Sequence, residues 1–402
     1  MNRSSSRRLL LPSAWILASL VGGVTTVTHA ARKQFQHLVV VMMENRSFDH
    51  LLGWHPTADA MQEGLAYPDH NEVLQPTFPL APDFRGCTHP DPDHTWEGGR
   101  VEYHDGAMDG FLKAGDNDAY AIGYYGEDDR PFFNALARNF TTCDRYFSSI
   151  LGPTYPNRIF LHAAQTDRLT NSLELSTLPT IWDRLAQKGV SAKYYVSDAS
   201  FLGLWGVRYL GITSTYSQFL QDAASGNLPK VSFVEPRLLG DELGLSGSDH
   251  PHGDIRVGDA FLAETFHAVA SGPQWKGTVF VVTYDEWGGF FDHVAPPRAA
   301  APNALDPDVV GGKALLGMRV PTIVASPFSR GDPASPRVVS TIFDHTSILK
   351  LIESRWGLAP LTARDASNDV GNLSDALNLR QFDARVPSLP LPEAPPLTLC
   401  PP

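Results

Sequence analysis

Short apolar runs alternate with helical patterns along most of the chain. Two runs, residues 39–43 (VVVMM) and 278–283 (TVFVVT), are continuous and rich in β-branched residues, as is typical of strands buried in a parallel sheet. Shorter runs of the same kind occupy residues 192–196, 231–234 and 320–325. Helical periodicity occurs between these runs, at residues 130–140, 180–188, 254–270 and 343–353. The alternation predicts an α/β fold: a three-layer α/β/α sandwich around a mostly parallel central sheet.

Both continuous runs end abruptly in polar side chains. Glu44 and Asn45 follow the first run, and Asp285 and Glu286 follow the second. Because ligands bind at the carboxyl ends of strands in open α/β sheets, these four side chains would converge if the two strands are neighbours. Three carboxylates and an amide oxygen in one place require a cation. The pattern therefore predicts one divalent ion held by oxygen atoms, such as Ca²⁺ or Mg²⁺, with Ca²⁺ as the expected ion, and it disfavours a closed zinc site.

A simpler interpretation exists for the first of these stretches. Asn45 or Ser47 could cap the helix that follows, and Glu44 could complement the dipole of that helix. The second acidic strand end, at Asp285 and Glu286, favours the metal site over this interpretation.

Thr154 follows a Gly-Pro turn and precedes an apolar helical pattern. This places its hydroxyl group close to a helix N-terminus. A threonine there can serve as an N-cap. It can also act as a nucleophile, whose developing oxyanion is stabilised by the helix dipole and by a metal ion.

Two histidines lie in long polar segments that are candidates for function. His94 closes an excursion over residues 54–93 that is rich in Pro, Asp and Asn, and His250 lies in a polar loop over residues 240–253. Long loops in compact domains tend to be functional. A hydrogen-bonded surface histidine would explain either residue equally well.

The composition limits the classes of partner. A chain of 402 residues with 43% hydrophobic and 19% charged residues is typical of a globular protein. The formal net charge of −12, without a cluster of Lys and Arg, argues against nucleic acid as a partner. It also argues against purely electrostatic attachment to an anionic membrane.

The first thirty residues have the pattern of a signal peptide. Arg3, Arg7 and Arg8 precede an apolar run over residues 15–24, and a small-residue site ends at Ala30. The run is too short and too interrupted for a membrane span, so we expect none in the mature chain. Cleavage after Ala30 and export from a bacterial cell follow, to the periplasm or the medium, with the twin-arginine route as one possibility.

The remaining chain shows no internal repeat. We predict one domain over residues 31–386 and a Pro-rich C-terminal tail over residues 387–402. Export permits one disulfide bond, and Cys87 with Cys143 is a possible pair that leaves Cys400 unpaired.

With these segments in hand, the chain resembles the bacterial phospholipase C and acid phosphatase family of phosphoesterases, within the alkaline-phosphatase-like superfamily. The matching segments occur in the expected order, at residues 39–53 (VVVMMENRSFDHLLG), 94–96 (HTW), 108–111 (MDGF), 152–158 (GPTYPNR), 248–255 (SDHPHGDI) and 281–297 (VVTYDEWGGFFDHVAPP). The resemblance implies an alkaline-phosphatase-like fold, with residues 31–386 as the catalytic domain.

The resemblance also implies roles for the candidate residues. The metal ligands would be Glu44, Asn45, Thr154, Asp285 and Glu286. Thr154 would be the nucleophile. His250 and His94 would be the site histidines, with His250 as the general acid and His94 as the next candidate.

Three functions are consistent with these patterns. The first is an exported, metal-dependent phospholipase C that acts on phospholipid through a phosphothreonine intermediate. The second is a broad-specificity acid phosphatase that acts on small soluble phosphomonoesters. The third, more remote, is a secreted binding protein in which a cation is structural and Thr154 is only a cap.

Overall fold

The computed structural model describes residues 1–2 and 35–401. The body of the expected signal peptide, residues 3–30, lies outside the described residues. Within the described part, no helix combines the length and the hydropathy that a transmembrane segment needs.

The described residues form fourteen strands and nine α-helices. The strands are β1 (His37–Met43), β2 (Ala66–Pro68), β3 (Leu74–Pro76), β4 (Phe78–Pro79), β5 (Gly123–Tyr124), β6 (Thr141–Cys143), β7 (Ala192–Val196), β8 (Thr213–Thr215), β9 (Val231–Glu235), β10 (Thr278–Tyr284), β11 (Arg298–Ala300), β12 (Lys313–Leu315), β13 (Ile323–Ala325) and β14 (Val338–Val339). The helices are α1 (Phe48–Leu52), α2 (Trp96–Tyr103), α3 (Pro131–Asn139), α4 (Thr154–Ala163), α5 (Ile181–Lys188), α6 (Tyr216–Ser225), α7 (Ile255–Ser271), α8 (His345–Trp356) and α9 (Ala363–Ala366).

Eight of the strands form a central sheet in the order β14-β6-β13-β10-β1-β9-β7-β8. All its neighbouring pairs are parallel except the two that involve β13, which runs antiparallel to both β10 and β6. Helices α3, α6 and α7 pack together in one group, and α4, α5, α8 and α9 pack together in another. The predicted three-layer α/β/α sandwich with a mostly parallel sheet is confirmed.

Strands β1 and β10 lie at the centre of this sheet. Every residue of both strands is buried, because helices cover the sheet on both faces and only apolar side chains tolerate such a position. The two strands pair in parallel, from His37 with Thr278 to Met43 with Tyr284. They therefore end side by side. The prediction that the two strands with acidic ends are neighbours is confirmed.

Helix boundaries follow local capping chemistry. Asp254 caps α7 by accepting a hydrogen bond from the backbone N–H of Arg256. Asp344 caps α8 in a reciprocal box with Ser347. The apolar pattern at 320–325 gives only the three-residue strand β13.

The disulfide bond joins Cys87 to Cys400, so the pairing of Cys87 with Cys143 is wrong. Cys143 is the last residue of β6, it is fully buried, and its thiol is free. Cys87 lies in the long loop instead, where its sulfur is close to the carbonyl group of His252. The C-terminal tail has no regular secondary structure up to residue 401, and the bond attaches its end to this loop.

Candidate active site

The ends of β1 and β10 bring the two acidic stretches together. The backbone N–H of Asn45 donates a 3.0 Å hydrogen bond to Oδ1 of Asp285. The N–H of Arg46 donates to the carbonyl oxygen of Glu286 over 3.0 Å. Glu44, Asn45, Asp285 and Glu286 are all buried at this edge. The structure therefore places the four expected ligands in one small region.

The turn after β1 needs unusual backbone geometry. Asn45 has a φ of 58°, in the left-handed region that asparagine tolerates better than most residues. Gly288, with a φ of 65°, approaches it so closely that a Cβ atom would lie 2.1 Å from the carbonyl oxygen of Asn45. Only glycine fits there, and this contact presses the loop after β10 against the Asn45 turn.

Thr154 is the first residue of α4 but does not cap it. Pro153 occupies the N-cap position and provides no side-chain cap. The hydroxyl oxygen of Thr154 accepts a 3.1 Å hydrogen bond from Nδ2 of Asn45 and donates to Oε1 of Glu286 over 3.5 Å. Asn45 also donates to that Glu286 oxygen. The nucleophile candidate thus lies against two of the expected metal ligands.

Arg158, one turn along α4, binds the carboxylates behind Thr154. Its guanidinium contacts Asp285 at 3.0 Å, Glu235 at 2.7 Å and Glu44 at 3.4 Å. The side chain is 1% exposed, so these are interactions between desolvated charges. Helix α4 therefore supplies both the hydroxyl group and the cation that holds the acids in place.

Sequence reasoning missed two acids of this cluster. Glu235 ends β9, the other neighbour of β1, so the rule that found Glu44 and Asp285 could have found it. Asp241 is different: it begins a short 3-10 helix, Asp241–Leu243, outside the sheet, and only the folded chain brings its carboxylate to that of Glu44. No local pattern at Asp241 signals this contact.

The electrostatics of the cluster show an excess of negative charge. Burial, followed by the charges of Asp241 and Asp285, raises the pKa of Glu44 well above its usual value. Burial raises the pKa of Glu286 to about 8, with Asp285 adding to the effect and the charge of His94 opposing it. Burial also raises the pKa of Asp241 to about 6. Ionised carboxylates are therefore costly here unless a cation accompanies them.

Two oxygen atoms at the site are buried without a hydrogen-bond partner in the described part of the chain: Oε2 of Glu44 and Oδ1 of Asn45. Buried polar atoms normally have partners, so these two need one. Together with the carboxylates of Asp285 and Glu286 and the hydroxyl of Thr154 they form an all-oxygen donor set. This set fits a hard divalent cation.

Two other groups of acids and histidines have ligand atoms that all lie within 4.8 Å of one another, whereas the carboxylates of Glu44, Asp285 and Glu286 do not meet this spacing in the described structure. One consists of Asp49, Asp292 and His293. The guanidinium of Arg319 lies 3.1 Å from Asp49 and 2.9 Å from Asp292, so this arginine already supplies the positive charge beside these acids. The other group lies at the edge of the cleft described below and is formed by Asp91, Glu242 and His250.

The two expected histidines both reach the site, in different charge states. Burial alone would lower the pKa of His94, but the charges of Glu286 and Asp91 outweigh it and raise the pKa to about 9. Its Nδ1 binds the carbonyl group of Pro92, and its Nε2 lies 3.9 Å from Oε1 of Glu286. Burial lowers the pKa of His250 to about 3, so that His250 is neutral.

A cleft of about 680 Å³ opens above these residues. Its polar lining residues include Glu44, His94, Thr154, Asp241 and His250. Its apolar and aromatic lining residues are Tyr155, Leu173, Phe201, Leu204, Leu238, Leu239 and Leu243. The cleft therefore offers both charged and hydrophobic contacts to a ligand.

Comparison with known proteins identifies the family of the chain. The chain matches the Phosphoesterase family over residues 35–359. It is 32% identical to non-specific phospholipase C6 of Arabidopsis thaliana, over 91% of this chain and 78% of the relative. It is also 32% identical to phospholipase C A of Mycobacterium tuberculosis, over 85% of this chain and 77% of the relative.

Solved structures with a similar fold are more distant. The phosphonate monoester hydrolase of Agrobacterium radiobacter covers 85% of this chain with 12% identity and a TM-score of 0.41, and 77% of that enzyme is aligned. The family match, by contrast, includes the ends of β1 and β10, the start of α4 and both site histidines. The chain belongs to the phosphoesterase family, the members of which hydrolyse phosphoric ester bonds.

Proposed function

We propose that this protein is an exported, metal-dependent phospholipase C that cleaves phospholipids through a phosphothreonine intermediate on Thr154. The observation that carries the proposal is the position of the Thr154 hydroxyl. It bonds to Asn45 and Glu286 instead of capping α4, so a helix cap does not explain this threonine. The names of the two phospholipase C relatives support the reaction class.

One divalent ion, Ca²⁺ by expectation, would be held by oxygen atoms of Glu44, Asn45, Thr154, Asp285 and Glu286. When bound, it would lower the pKa of the Thr154 hydroxyl and polarise a phosphoryl oxygen. The two unpartnered oxygens of Glu44 and Asn45 support this assignment.

The protein's own groups orient the reaction. Asn45 fixes the hydroxyl of Thr154, and Arg158 holds Asp285 and Glu44 in place from behind. The Thr154 hydroxyl would pass its proton to Oε1 of Glu286, to which it donates, as the Thr154 oxygen attacks phosphorus in line with the leaving alcohol. Water then hydrolyses the phosphothreonine and restores the free hydroxyl group.

We assign proton transfer to the leaving alkoxide to His94 in preference to His250. His94 lines the cleft, and its Nε2 lies 3.9 Å from Oε1 of Glu286, the oxygen to which the Thr154 hydroxyl donates. His250 is neutral because of its burial, so it has no proton to give at neutral pH. The proposed role of His250 is to position the phosphoryl group.

The apolar lining of the cleft supports a phospholipid over a soluble phosphomonoester. Phe201, Leu204 and Leu238 would contact the diacylglycerol part of a phosphodiester, whereas a small monoester offers them nothing to bury. Export is supported by the N-terminal pattern and by the Cys87–Cys400 bond, since disulfides persist in oxidising compartments.

The test compares two threonine variants on three substrates: phosphatidylcholine, p-nitrophenylphosphorylcholine and p-nitrophenyl phosphate. Thr154→Ala should abolish turnover and leave stability nearly unchanged. The matched control is Thr215→Ala, because Thr215 does cap its helix, α6, through the N–H of Gln218. That variant should keep full activity and lose roughly 1 kcal/mol of stability.

Three outcomes would contradict parts of the proposal. Wild-type rates in Thr154→Ala would remove the nucleophile assignment. Turnover of the monoester alone would favour the acid phosphatase. A protein that a divalent ion stabilises against heat, but that hydrolyses none of the three substrates, would be a binding protein. Treatment with EDTA should remove activity on all substrates, and added Ca²⁺ should restore it.

A further inference from the structure

Large apolar side chains are exposed around the mouth of the cleft. Leu173 is 77% exposed, Leu239 59% and Leu243 55%, and all three line the cleft. Leu175, 67% exposed, packs beside Gly206, the neighbour of Val207, which is 79% exposed. We call these five residues the apolar rim.

The backbone around the rim is held by hydrogen bonds between the loops. The N–H of Ser176, next to Leu175, donates to the carbonyl oxygen of Leu204 over 2.7 Å. Asp198 accepts hydrogen bonds from the N–H groups of Leu238 and Leu239, each over 3.0 Å. These contacts keep the apolar side chains directed outward. Several large apolar side chains exposed near one opening are a feature of surfaces that bind a partner.

A third contact holds the loop of Leu243. The N–H of Cys400 donates to the carbonyl oxygen of Leu243 over 2.9 Å, and Cys400 is itself bonded to Cys87. Cys400 thus links the backbone at Leu243 to the loop of Cys87, and these two bonds hold the segment of Leu243 in place.

Charge around the rim has both signs. Glu174 lies between Leu173 and Leu175, and Glu242 precedes Leu243; both are exposed. Arg208 lies 2.9 Å from Asp183, and Arg237 lies 3.9 Å from Asp198. Arg85 donates hydrogen bonds to the carbonyl oxygen of Gly244 and to Thr398. Charges of mixed sign fit a zwitterionic surface with no net charge better than an anionic one, which is bound by clusters of Lys and Arg.

We propose that the apolar rim inserts into the surface of a zwitterionic phospholipid membrane, such as phosphatidylcholine, and so opens the cleft directly on the lipid. This proposal rests on the proposed phospholipase function, since a lipid substrate reaches the cleft only from such a surface. The apolar lining formed by Leu204 and Phe201 would then continue the hydrocarbon region of the membrane down to Thr154.

The experiment uses the full-length mature protein and the double variant Leu175→Ser/Val207→Ser. These two residues belong to the rim but do not line the cleft. Co-sedimentation with phosphatidylcholine vesicles should show binding that falls about tenfold or more in the variant, because two large apolar side chains no longer enter the lipid. Hydrolysis of vesicle phosphatidylcholine should fall in parallel. Hydrolysis of soluble p-nitrophenylphosphorylcholine should stay unchanged.

The matched control is Leu74→Ser/Val310→Ser, which removes two equally exposed apolar side chains that are not part of the rim. It should keep wild-type vesicle binding. Thermal unfolding of both variants should match the wild type, because the altered side chains are exposed in the folded chain.

Several results would overturn the inference. Equal vesicle binding of the rim variant and the wild type would do so. Tighter binding to vesicles that contain phosphatidylserine would show an electrostatic attachment instead. A wild-type dimer that the rim variant loses, without vesicle binding, would identify the rim as a contact between two copies. A different result separates the two proposals. If the protein binds vesicles through the rim but hydrolyses no phosphodiester, the membrane-binding role of the rim is supported and only the phospholipase function is refuted.

Discussion

Arg158 provides the most direct test of the electrostatics of the site. It is the buried cation that contacts Glu44, Glu235 and Asp285, at distances of 2.7 to 3.4 Å. Methionine is unbranched, carries no charge and fills the space of the aliphatic part of arginine. Arg158→Met therefore removes the cation while keeping most of the apolar packing.

The size of the effect follows from the burial of these groups. Removing one partner of a buried ion pair costs roughly 3–5 kcal/mol, because the other charge stays buried without compensation. Glu44 and Glu235 can escape part of this cost by binding protons, since burial already raises the pKa of each. We therefore expect a loss near the lower end of that range, about 3 kcal/mol, at pH 7.

The loss should also depend on pH. In the folded variant, Glu44 and Glu235 have raised pKa values. They therefore keep their protons at pH values at which the same groups are ionised in the unfolded chain. Stability of the variant, relative to the wild type, should thus fall as the pH rises above about 4.5, the ordinary value for Glu. The deficit should be larger at pH 8 than at pH 5.

Urea unfolding in the presence of EDTA, followed by circular dichroism, measures both effects. Adding Glu235→Gln to Arg158→Met should recover about 1–3 kcal/mol, because it removes one of the unpaired charges. The control is Arg138→Met, which breaks a surface ion pair with Glu127 at 2.6 Å and should cost less than about 1 kcal/mol. Equal losses in Arg158→Met and Arg138→Met, or no recovery in the double variant, would refute the reasoning.

Three further predictions concern single side chains. Burial and the carboxyl group of Asp365 raise the pKa of Glu353 from 4.5 to about 9, so wild-type stability should fall as the pH rises through that interval. Glu353→Gln should therefore raise the free energy of unfolding at pH 8 by roughly 2–4 kcal/mol and change it little at pH 4. Urea titrations at both pH values measure this, and equal effects at the two pH values would contradict the prediction. His94→Ala should slow hydrolysis of alkyl phosphoesters by roughly 10²- to 10⁴-fold and of p-nitrophenyl esters far less, because nitrophenolate leaves without a proton. His250→Ala should slow both substrate types equally in steady-state assays; a selective loss on alkyl esters would return the acid role to His250.

The residue pattern alone determined the frame of the site. Continuous apolar runs are stable only as strands buried on both faces, and parallel strands end at a common edge. The sequence therefore placed the acidic ends of the two strands together. Asn45 and Asp285, which are hydrogen-bonded in the structure, are 240 positions apart in the chain. The same rule applied to β9 would have added Glu235.

Contacts that depend on how loops return to the sheet could not be obtained in this way. Asp241 meets Glu44, and Cys87 meets Cys400 instead of Cys143, because of the paths of irregular segments. Such segments carry no periodic pattern that sets their direction.

The role of Thr154 was likewise open between a cap and a nucleophile. Its bonds to Asn45 and Glu286 form only once α4 docks on the sheet edge. The sequence by itself determined the strands and the acids at their ends, because burial and periodicity are local properties of the chain. Only the tertiary structure decided which groups meet those acids, because distances between loops and helix ends arise from the packing of the whole domain.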